Sequence, residues 1–193
     1  MKVLPKIRIS VLALLLACLV HTGANAQKCP NAFRAGINYA FLTDVDNSGF
    51  MFYNQYNRCI SRLFEVSLQA NYFNASRYDD ADKTFTSMKT FKMMDLSATI
   101  KPLRSSRFVL KLGAGPSIRH RAELDLKRTV ANGDANTTNA YLHNKSFDYG
   151  YHGFIENDFF ITDNLILGAR IAGFDYNEGS GLFGFGLNMG YQF

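Results

Sequence analysis

The sequence contains few residues that could form a catalytic centre. Its histidines are His21, His120, His143 and His152, and Ser146 lies three positions after His143. A histidine can activate a serine hydroxyl when the two side chains are within hydrogen-bond reach. Residues three apart in a strand point to opposite faces, so His143 and Ser146 are poorly placed for this chemistry. We therefore predict no catalytic residue, no cofactor and no metal site.

Charged side chains indicate a different chemistry, the pairing of opposite charges inside a narrow barrel. Six of them fall on the polar face of segments in which polar and apolar residues alternate. They are Arg34, Glu65, Asp95, Lys111, Glu156 and Arg170. Three acids and three bases cannot be buried together unless they are paired. Strand adjacency predicts Arg170 beside Glu156, and it also predicts Lys111 beside Asp95. We expect Asn38, Gln69 and Asn188 to complete the hydrogen bonds of this lumen polar network.

Two cysteines, Cys29 and Cys59, lie outside the apolar N-terminal segment. Cys29 precedes the first predicted strand and Cys59 follows the second, so an up-and-down barrel places both at the same end. An exported protein meets oxidising conditions that permit disulfides. The pair can therefore form a disulfide, and two free thiols remain the alternative.

The elements that must position these residues are strands, because apolar residues recur with period two and no long helical pattern follows residue 30. In 63–73, for example, Phe64, Val66 and Leu68 oppose Glu65 and Ser67. The predicted strands are 33–42, 50–58, 63–73, 90–101, a fifth from residue 108, 146–160, 165–174 and 182–193. Short connections at 58–62, 102–107 and 161–164 alternate with turn-rich or longer ones at 44–49, 74–88, 121–144 and 175–181. The sequence therefore predicts an all-β, eight-stranded antiparallel up-and-down transmembrane β-barrel.

The longest connection continues the alternation of the strands that flank it. Ala122, Leu124 and Leu126 alternate with polar residues there. Strands five and six are therefore expected to protrude as a hairpin, which we call the loop-three hairpin. Its exposed edge could pair with a strand of a partner protein.

Glycines and aromatic residues indicate which face of the barrel is inside. Seven glycines fall on the polar face, where a crowded lumen needs small side chains and a water-exposed surface does not. They are Gly36, Gly113, Gly115, Gly168, Gly184, Gly186 and Gly190. Aromatic residues such as Phe33, Phe41 and Tyr191 lie near strand ends on the apolar face, as in the interfacial girdles of membrane barrels. The alternative is a soluble lipocalin-like barrel with its apolar face inside.

The last predicted strand carries six large apolar residues on one face, ending with Met189, Tyr191 and Phe193. Such a strand needs pairing with strand one and an apolar surrounding for its outer face. The segment Gly190–Phe193 resembles the C-terminal signal of outer-membrane β-barrels. The stretch 113–117 is similar to a strand of the OmpA/OmpX-like porin group, also described as the outer membrane protein β-barrel domain. This resemblance implies that Met189, Tyr191 and Phe193 are the signal recognised by the barrel-assembly machinery.

The N-terminus resembles a signal peptide. Lys2, Lys6 and Arg8 precede the apolar run 9–20, and the small residues 24–26 follow it, so cleavage is expected after Ala26. Residues 1–26 form this predicted signal peptide and 27–193 the barrel domain. Removing residues 1–26 leaves 18 basic residues, from 21 minus 3, against 16 acidic ones. The remaining charge is near neutral and favours no nucleic-acid partner.

Together these features predict a protein of the bacterial outer membrane with outer-membrane lipid as its surroundings. A structural, adhesive or surface-interaction role and a lumen plugged by charged side chains are the expected function. A narrow channel or porin is the first alternative. The family also includes enzymes that modify lipid A, but the sequence has no match to their motifs, and no enzyme is predicted.

Overall fold

The structure is a computed structural model that describes residues 29–43, 47–79, 84–129 and 138–193. The predicted signal peptide, residues 1–26, lies outside these ranges. Eight strands occur within them: β1 (Ala32–Leu42), β2 (Ser48–Cys59), β3 (Phe64–Asp79), β4 (Thr84–Arg104), β5 (Phe108–Thr129), β6 (Thr138–Phe160), β7 (Leu165–Tyr176) and β8 (Leu182–Gln192). They form a closed antiparallel barrel in which each strand pairs with its sequence neighbours. The predicted all-β up-and-down barrel is confirmed.

Across the described residues, the structure contains no helix with the length and apolar character needed to cross a membrane.

The barrel closes by pairing β1 with β8, from Ala32 opposite Gln192 to Leu42 opposite Leu182. Backbone hydrogen bonds between Asn31 and Phe193 extend this ladder by one residue, at 2.9 and 3.0 Å. The turns 60–63, 105–107 and 161–164 lie at this same end, which we call the short-turn end. Closure leaves neither β1 nor β8 as an exposed sheet edge.

Four consecutive strands extend beyond the strand bounds predicted from the sequence. The strands β3, β4, β5 and β6 have 16, 21, 22 and 23 residues, whereas the other four have 11 or 12. Most of the predicted loop 74–88 is strand, because ladder pairing with a neighbour compensates for weak local patterning. Most of 121–144 is also strand, and it forms the protruding hairpin that its continued alternation predicted. The end of the barrel opposite the short-turn end is called the long-strand end. There β3, β4, β5 and β6 extend beyond the other four strands as what we call the protruding wall.

The alternating apolar residues face outward, as the sequence predicted. Phe33, Phe185 and Leu187 are 52%, 51% and 59% exposed, and their strand neighbours Arg34 and Asn188 are buried. Large apolar side chains of all eight strands contribute to this exposed surface. A soluble barrel would bury these side chains, so the orientation is that of a membrane barrel.

Glycines on the inward face make room for larger side chains across the lumen. A Cβ added at Gly36 would lie 2.5 Å from the ring of Tyr53, and one at Gly113 would lie 2.3 Å from the ring of Phe154. Any larger residue at these two positions would collide with an aromatic ring that is itself buried. The predicted reason for the inward glycines, a crowded lumen, agrees with this packing.

Candidate functional site

Arg34 is the centre of a buried charge cluster near the short-turn end. Its guanidinium donates to Asp158 through both terminal nitrogens, with Nη2 at 2.6 Å from Oδ2. It also donates to Glu156 Oε1 at 2.8 Å. Arg34, Glu156 and Asp158 are each no more than 1% exposed. One cation thus bonds to two carboxylates that strand β6 places two positions apart on its inward face.

Lys111 and Lys101 add two further cations to this cluster, both beside Glu65. Lys111 Nζ lies 2.9 Å from Glu65 Oε1 and 3.2 Å from Asp158 Oδ2. Lys101 Nζ lies 3.5 Å from Glu65 Oε2. The register explains the contact, because Glu65 and Lys101 project inward from neighbouring strands and Lys111 from the strand beyond. Every carboxylate here has at least one cation, which buried charges require.

Arg170 links the cluster to the amides and rings of the lumen. Its Nη1 donates to Gln69 Oε1 at 2.6 Å and to Gln55 Oε1 at 2.9 Å. The predicted partner Glu156 lies 3.7 Å away, beyond hydrogen-bond distance, and receives a hydrogen bond from Asn188 at 3.2 Å. The guanidinium also lies 3.9 Å above the centre of the Phe154 ring, a cation–π contact.

The expected contact between Lys111 and Asp95 does not form. Asp95 is opposite Ser117, six positions along β5 from Lys111. Six strand residues span about 20 Å, too far for an ion pair. Asp95 instead accepts hydrogen bonds from Ser117 and Asn71, each at 2.6 Å. Asn38 is buried nearby, and neither of its amide atoms is hydrogen-bonded to a described residue.

Among the described residues, eight inward charges form what we call the lumen charge cluster. They are Arg34, Glu65, Asp95, Lys101, Lys111, Glu156, Asp158 and Arg170. Four are basic and four acidic, so the set is neutral. Sequence reasoning missed Lys101 and Asp158. Both could have been found by counting, because Asp158 lies two positions after Glu156 and Lys101 lies on the same face as Asp95.

A serine–histidine pair also lies in the lumen. Ser97 Oγ is 2.8 Å from His152 Nε2, and both residues are no more than 2% exposed. The imidazole stacks between Phe154 and Phe174, with ring centres 6.2 and 5.6 Å away. Both groups are therefore enclosed within the barrel wall. The predicted mismatch of His143 and Ser146 agrees with the structure, because His143 is exposed and Ser146 bonds to the inward Arg121.

An apolar layer occupies the lumen between the lumen charge cluster and the long-strand end. Its largest members include Met51, Phe73, Phe91 and Phe174, all buried. The sequence analysis treated the inward face as polar throughout and did not predict this layer. The lumen charge cluster therefore borders an apolar layer on its side toward the long-strand end.

Arg119 is buried in the lumen on the long-strand side of the apolar layer. It pairs with Asp148 at 2.8 Å, and its guanidinium lies 3.9 Å above the Tyr176 ring. The same group donates to the backbone carbonyls of Glu178 and Ser180, each at 2.7 Å. The loop between β7 and β8 is thereby held against the inner wall. Its Gly179 has a φ of 71°, a conformation that favours glycine.

Cys29 and Cys59 are joined by a disulfide, with 5.7 Å between their Cα atoms. The bond ties the residues before β1 to the end of β2. Lys101 Nζ lies 3.4 Å from Cys59 Sγ, so the bond borders the lumen charge cluster. It therefore fixes the chain where the lumen opens at the short-turn end.

Among the described residues, the longest free edge of the protruding wall is on strand β6. This strand pairs with β5 along its whole length but with β7 only from Gly150 onward. Within the described part of the chain, no strand pairs with residues 138–149 on the second side, where Asn177 hydrogen-bonds both backbone groups of Tyr149. Backbone groups alternate in direction, so those of Lys145 and His143 face the same open side as those of Tyr149.

The three residues expected to carry the assembly signal, Met189, Tyr191 and Phe193, all project outward and are 55% to 62% exposed. Met189 and Tyr191 lie opposite Ala35 and Phe33 on β1. In the described residues, no group of three or more His, Cys, Asp or Glu side chains is arranged to hold a metal ion.

Comparison with known proteins gives matches at the level of structure. No family model and no curated protein matches the chain. The crystal structure of OprG from Pseudomonas aeruginosa matches with a TM-score of 0.60 and 11% identity, covering 88% of this chain and 98% of that one. Neisserial surface protein A matches with a TM-score of 0.58 and 11% identity, covering 85% and 96%.

Ail, the attachment invasion locus protein of Yersinia pestis, matches with a TM-score of 0.58 and 10% identity, covering 86% of this chain and 100% of Ail. Ail has also been solved in complex with the heparin analogue sucrose octasulfate. At these identities the likeness establishes the fold alone. The fold is that of the small eight-stranded outer-membrane β-barrels, as the resemblance of the sequence implied.

Proposed function

We propose that this chain, which has the fold of the small outer-membrane β-barrels, is an integral outer-membrane protein with a closed lumen. We further propose that it presents the free edge of β6 to a protein partner at the cell surface. The observation that carries the proposal is the stretch 138–148 of β6 on the protruding wall, which pairs with β5 on one side and has no strand partner on the other among the described residues. The short-turn end then faces the periplasm and the long-strand end the exterior.

An open strand edge supports a contact role because its backbone donors and acceptors are ready to form a ladder. Strand β6 keeps its full pairing with β5 up to Thr138, so the edge is held in strand geometry before a partner arrives. A preorganised edge lowers the ordering cost of binding. The attachment name of Ail, a protein of similar fold, is consistent with a role at the surface.

The closed lumen is supported by two barriers in series, the lumen charge cluster and the apolar layer. A narrow channel remains the second candidate, because a cavity of about 40 Å³ at the short-turn end reaches Arg34 and Lys111. Recordings in planar lipid bilayers separate the two. We expect no steady conductance above the bare bilayer, and reproducible ion-selective openings would refute closure.

The edge is tested by removing a backbone donor without removing the strand. His143→Pro and Phe147→Pro together delete two N–H groups that face the open side, and proline is tolerated on an edge. His143→Thr with Phe147→Thr is the matched control, since it changes the same side chains and keeps both N–H groups. The readout is attachment of bacteria displaying each variant to immobilised extracellular matrix.

We expect the proline pair to reduce attachment at least fivefold and the threonine pair to leave it near wild type. Equal attachment by all three proteins, at equal surface display, would refute the edge as the contact site. Equal loss in both variants would assign the contact to the side chains instead of the edge.

The barrel assembly machinery is proposed as a partner during insertion. The outward residues Met189, Tyr191 and Phe193 are the expected recognition signal. Phe193→Ser should lower the fraction of protein inserted in the outer membrane, whereas Leu63→Ser, an equally exposed apolar residue in a short turn, should not. Equal insertion of both variants would contradict this role.

A further inference from the structure

We propose that the outward face of the protruding wall holds the phosphate-bearing headgroup of an outer-leaflet lipid. The site consists of Lys92, His120, His143 and Lys145, which we call the outer basic patch. This inference rests on the proposed membrane orientation, but it does not depend on partner binding at the β6 edge.

Strand register places the four residues together. Lys92 on β4 is directly opposite His120 on β5. Lys145 on β6 is opposite Ala122, which makes it a diagonal neighbour of His120, and His143 follows two positions further. Directly opposed residues have Cβ atoms about 5 Å apart and diagonal ones about 7 Å. The side chains are long enough to converge on one headgroup.

Among the side chains that the structure describes, the outward neighbours of the outer basic patch include no carboxylate. The four residues of the patch and their eight outward neighbours on β3, β4, β5 and β6 make twelve positions. They are Tyr72, Asn74, Ser76, Met88, Thr90, Lys92, His120, Ala122, Leu124, His143, Lys145 and Phe147. None is acidic. On the neighbouring strand β7 the outward Asp175 already accepts a hydrogen bond from Tyr151 at 2.6 Å.

The inward face of the same strand segments shows the opposite arrangement. Lys89 pairs with Glu123 at 3.4 Å, and Arg121 and Arg119 pair with Asp148 at 3.2 and 2.8 Å. The outward Lys92 and Lys145 are exposed and form no ion pair or hydrogen bond with any described residue. On these segments the inward Lys89, Arg119 and Arg121 are thus paired with carboxylates, whereas the outward Lys92 and Lys145 are not.

The height of the patch selects a lipid over a soluble anion. The next outward row toward the short-turn end contains Met94, Ile118 and Tyr149, which are 49%, 43% and 68% exposed. Lys92 and His120 therefore lie one outward row beyond these apolar residues, at the level of the lipid headgroups. Lysines at this level attract anionic headgroups, and an imidazole N–H can donate to a phosphate oxygen. A phosphorylated lipid satisfies both the positive row and the apolar row beneath it.

Native mass spectrometry of the full chain in detergent micelles tests the assignment. The probes are lipid A carrying two phosphates, the same lipid A after dephosphorylation, and sucrose octasulfate as a soluble polyanion. The variant is Lys92→Gln with Lys145→Gln. The matched control is Arg62→Gln with Arg107→Gln, which removes the same charge from exposed turns at the short-turn end.

We expect the lysine pair to weaken lipid A binding about 30-fold, since each lysine near an anionic lipid contributes about fivefold. The arginine pair should stay within threefold of wild type, and dephosphorylated lipid A should bind wild type as weakly as phosphorylated lipid A binds the lysine variant. Equal binding of both lipids, or equal loss in both variants, would overturn the proposal. Retention of sucrose octasulfate without lipid A would overturn it in favour of a soluble polyanion.

Folding of each protein in the micelle is measured separately, by circular dichroism and by heat-dependent mobility on a detergent gel. A chain that needs no detergent to fold would refute the membrane proposal itself. A folded barrel that retains no lipid A would refute the lipid site alone.

Discussion

Replacing Arg34 by methionine tests whether the lumen charge cluster depends on each of its cations. The change removes a buried guanidinium that bonds to both Asp158 and Glu156. Asp158 would keep only Lys111, at 3.2 Å, and Glu156 would keep Arg170 at 3.7 Å and the amide of Asn188. Both carboxylates would stay buried in a cluster with one excess negative charge.

Removing one partner of a buried ion pair costs about 3–5 kcal/mol, whereas replacing both partners is often nearly neutral. We therefore expect Arg34→Met to lower the free energy of unfolding by about 3–5 kcal/mol. Adding Asp158→Leu restores three positive against three negative charges, from four minus one in each case. The double variant should recover to within about 1.5 kcal/mol of wild type, because no buried charge is then in excess.

The assay is urea unfolding of the refolded protein in lipid vesicles, followed by far-ultraviolet circular dichroism because the chain has no tryptophan. Arg107→Met, an exposed turn residue, is the control and should change stability by no more than about 0.5 kcal/mol. The reasoning would be refuted if Arg34→Met cost no more than this control. It would also be refuted if the double variant were less stable than Arg34→Met alone.

Three other measurements probe the lumen and its two ends. Gly113→Ala should lower the free energy of unfolding by about 1–3 kcal/mol, because the added Cβ would press on the buried Phe154 ring. Gly173→Ala should leave it unchanged, because an added Cβ there meets no atom within 4 Å beyond its chain neighbours. Equal effects of the two changes would contradict the packing. Replacing Cys29 and Cys59 by alanine should cost about 2–4 kcal/mol in urea unfolding, and reduction of wild type should reproduce the loss. A free energy of unfolding that reductant leaves unchanged would show that the Cys29–Cys59 disulfide does not stabilise the fold. Arg119→Leu should raise amide hydrogen exchange in the β7–β8 loop at least tenfold, and unchanged protection there would mean that other contacts hold the loop.

Local patterning was sufficient for the number and order of the strands. Alternation in β3 and β8 requires one buried and one exposed face, and the short turns between strands allow only neighbouring strands to pair. The ends of the strands were less predictable. Strand β4 begins at Thr84, although alternation indicated residue 90, because its first residues pair with β3 and, from Ser87 onward, also with β5.

The candidate site was predictable by residue type and less so by contact. All six residues of the predicted lumen polar network are buried inside the barrel. The predicted partner of Lys111, Asp95, was wrong, because the depth of a residue in the lumen depends on the register between tilted strands. A register shift between Ile100 and Leu103 also displaces β4 relative to β5 near the short-turn end. No local sequence signal reports such a shift.

The sequence by itself determined the outward and inward faces of the wall, the strand order and the chemical character of most lumen residues. Each of these follows from the two-residue period of a strand, which one segment contains in full. Only the tertiary structure decided which charges pair, where Phe73 and Phe91 form an apolar layer, and how much of β6 is left as a free edge. Those features depend on the stagger between strands, which is a property of the closed barrel and not of any single segment.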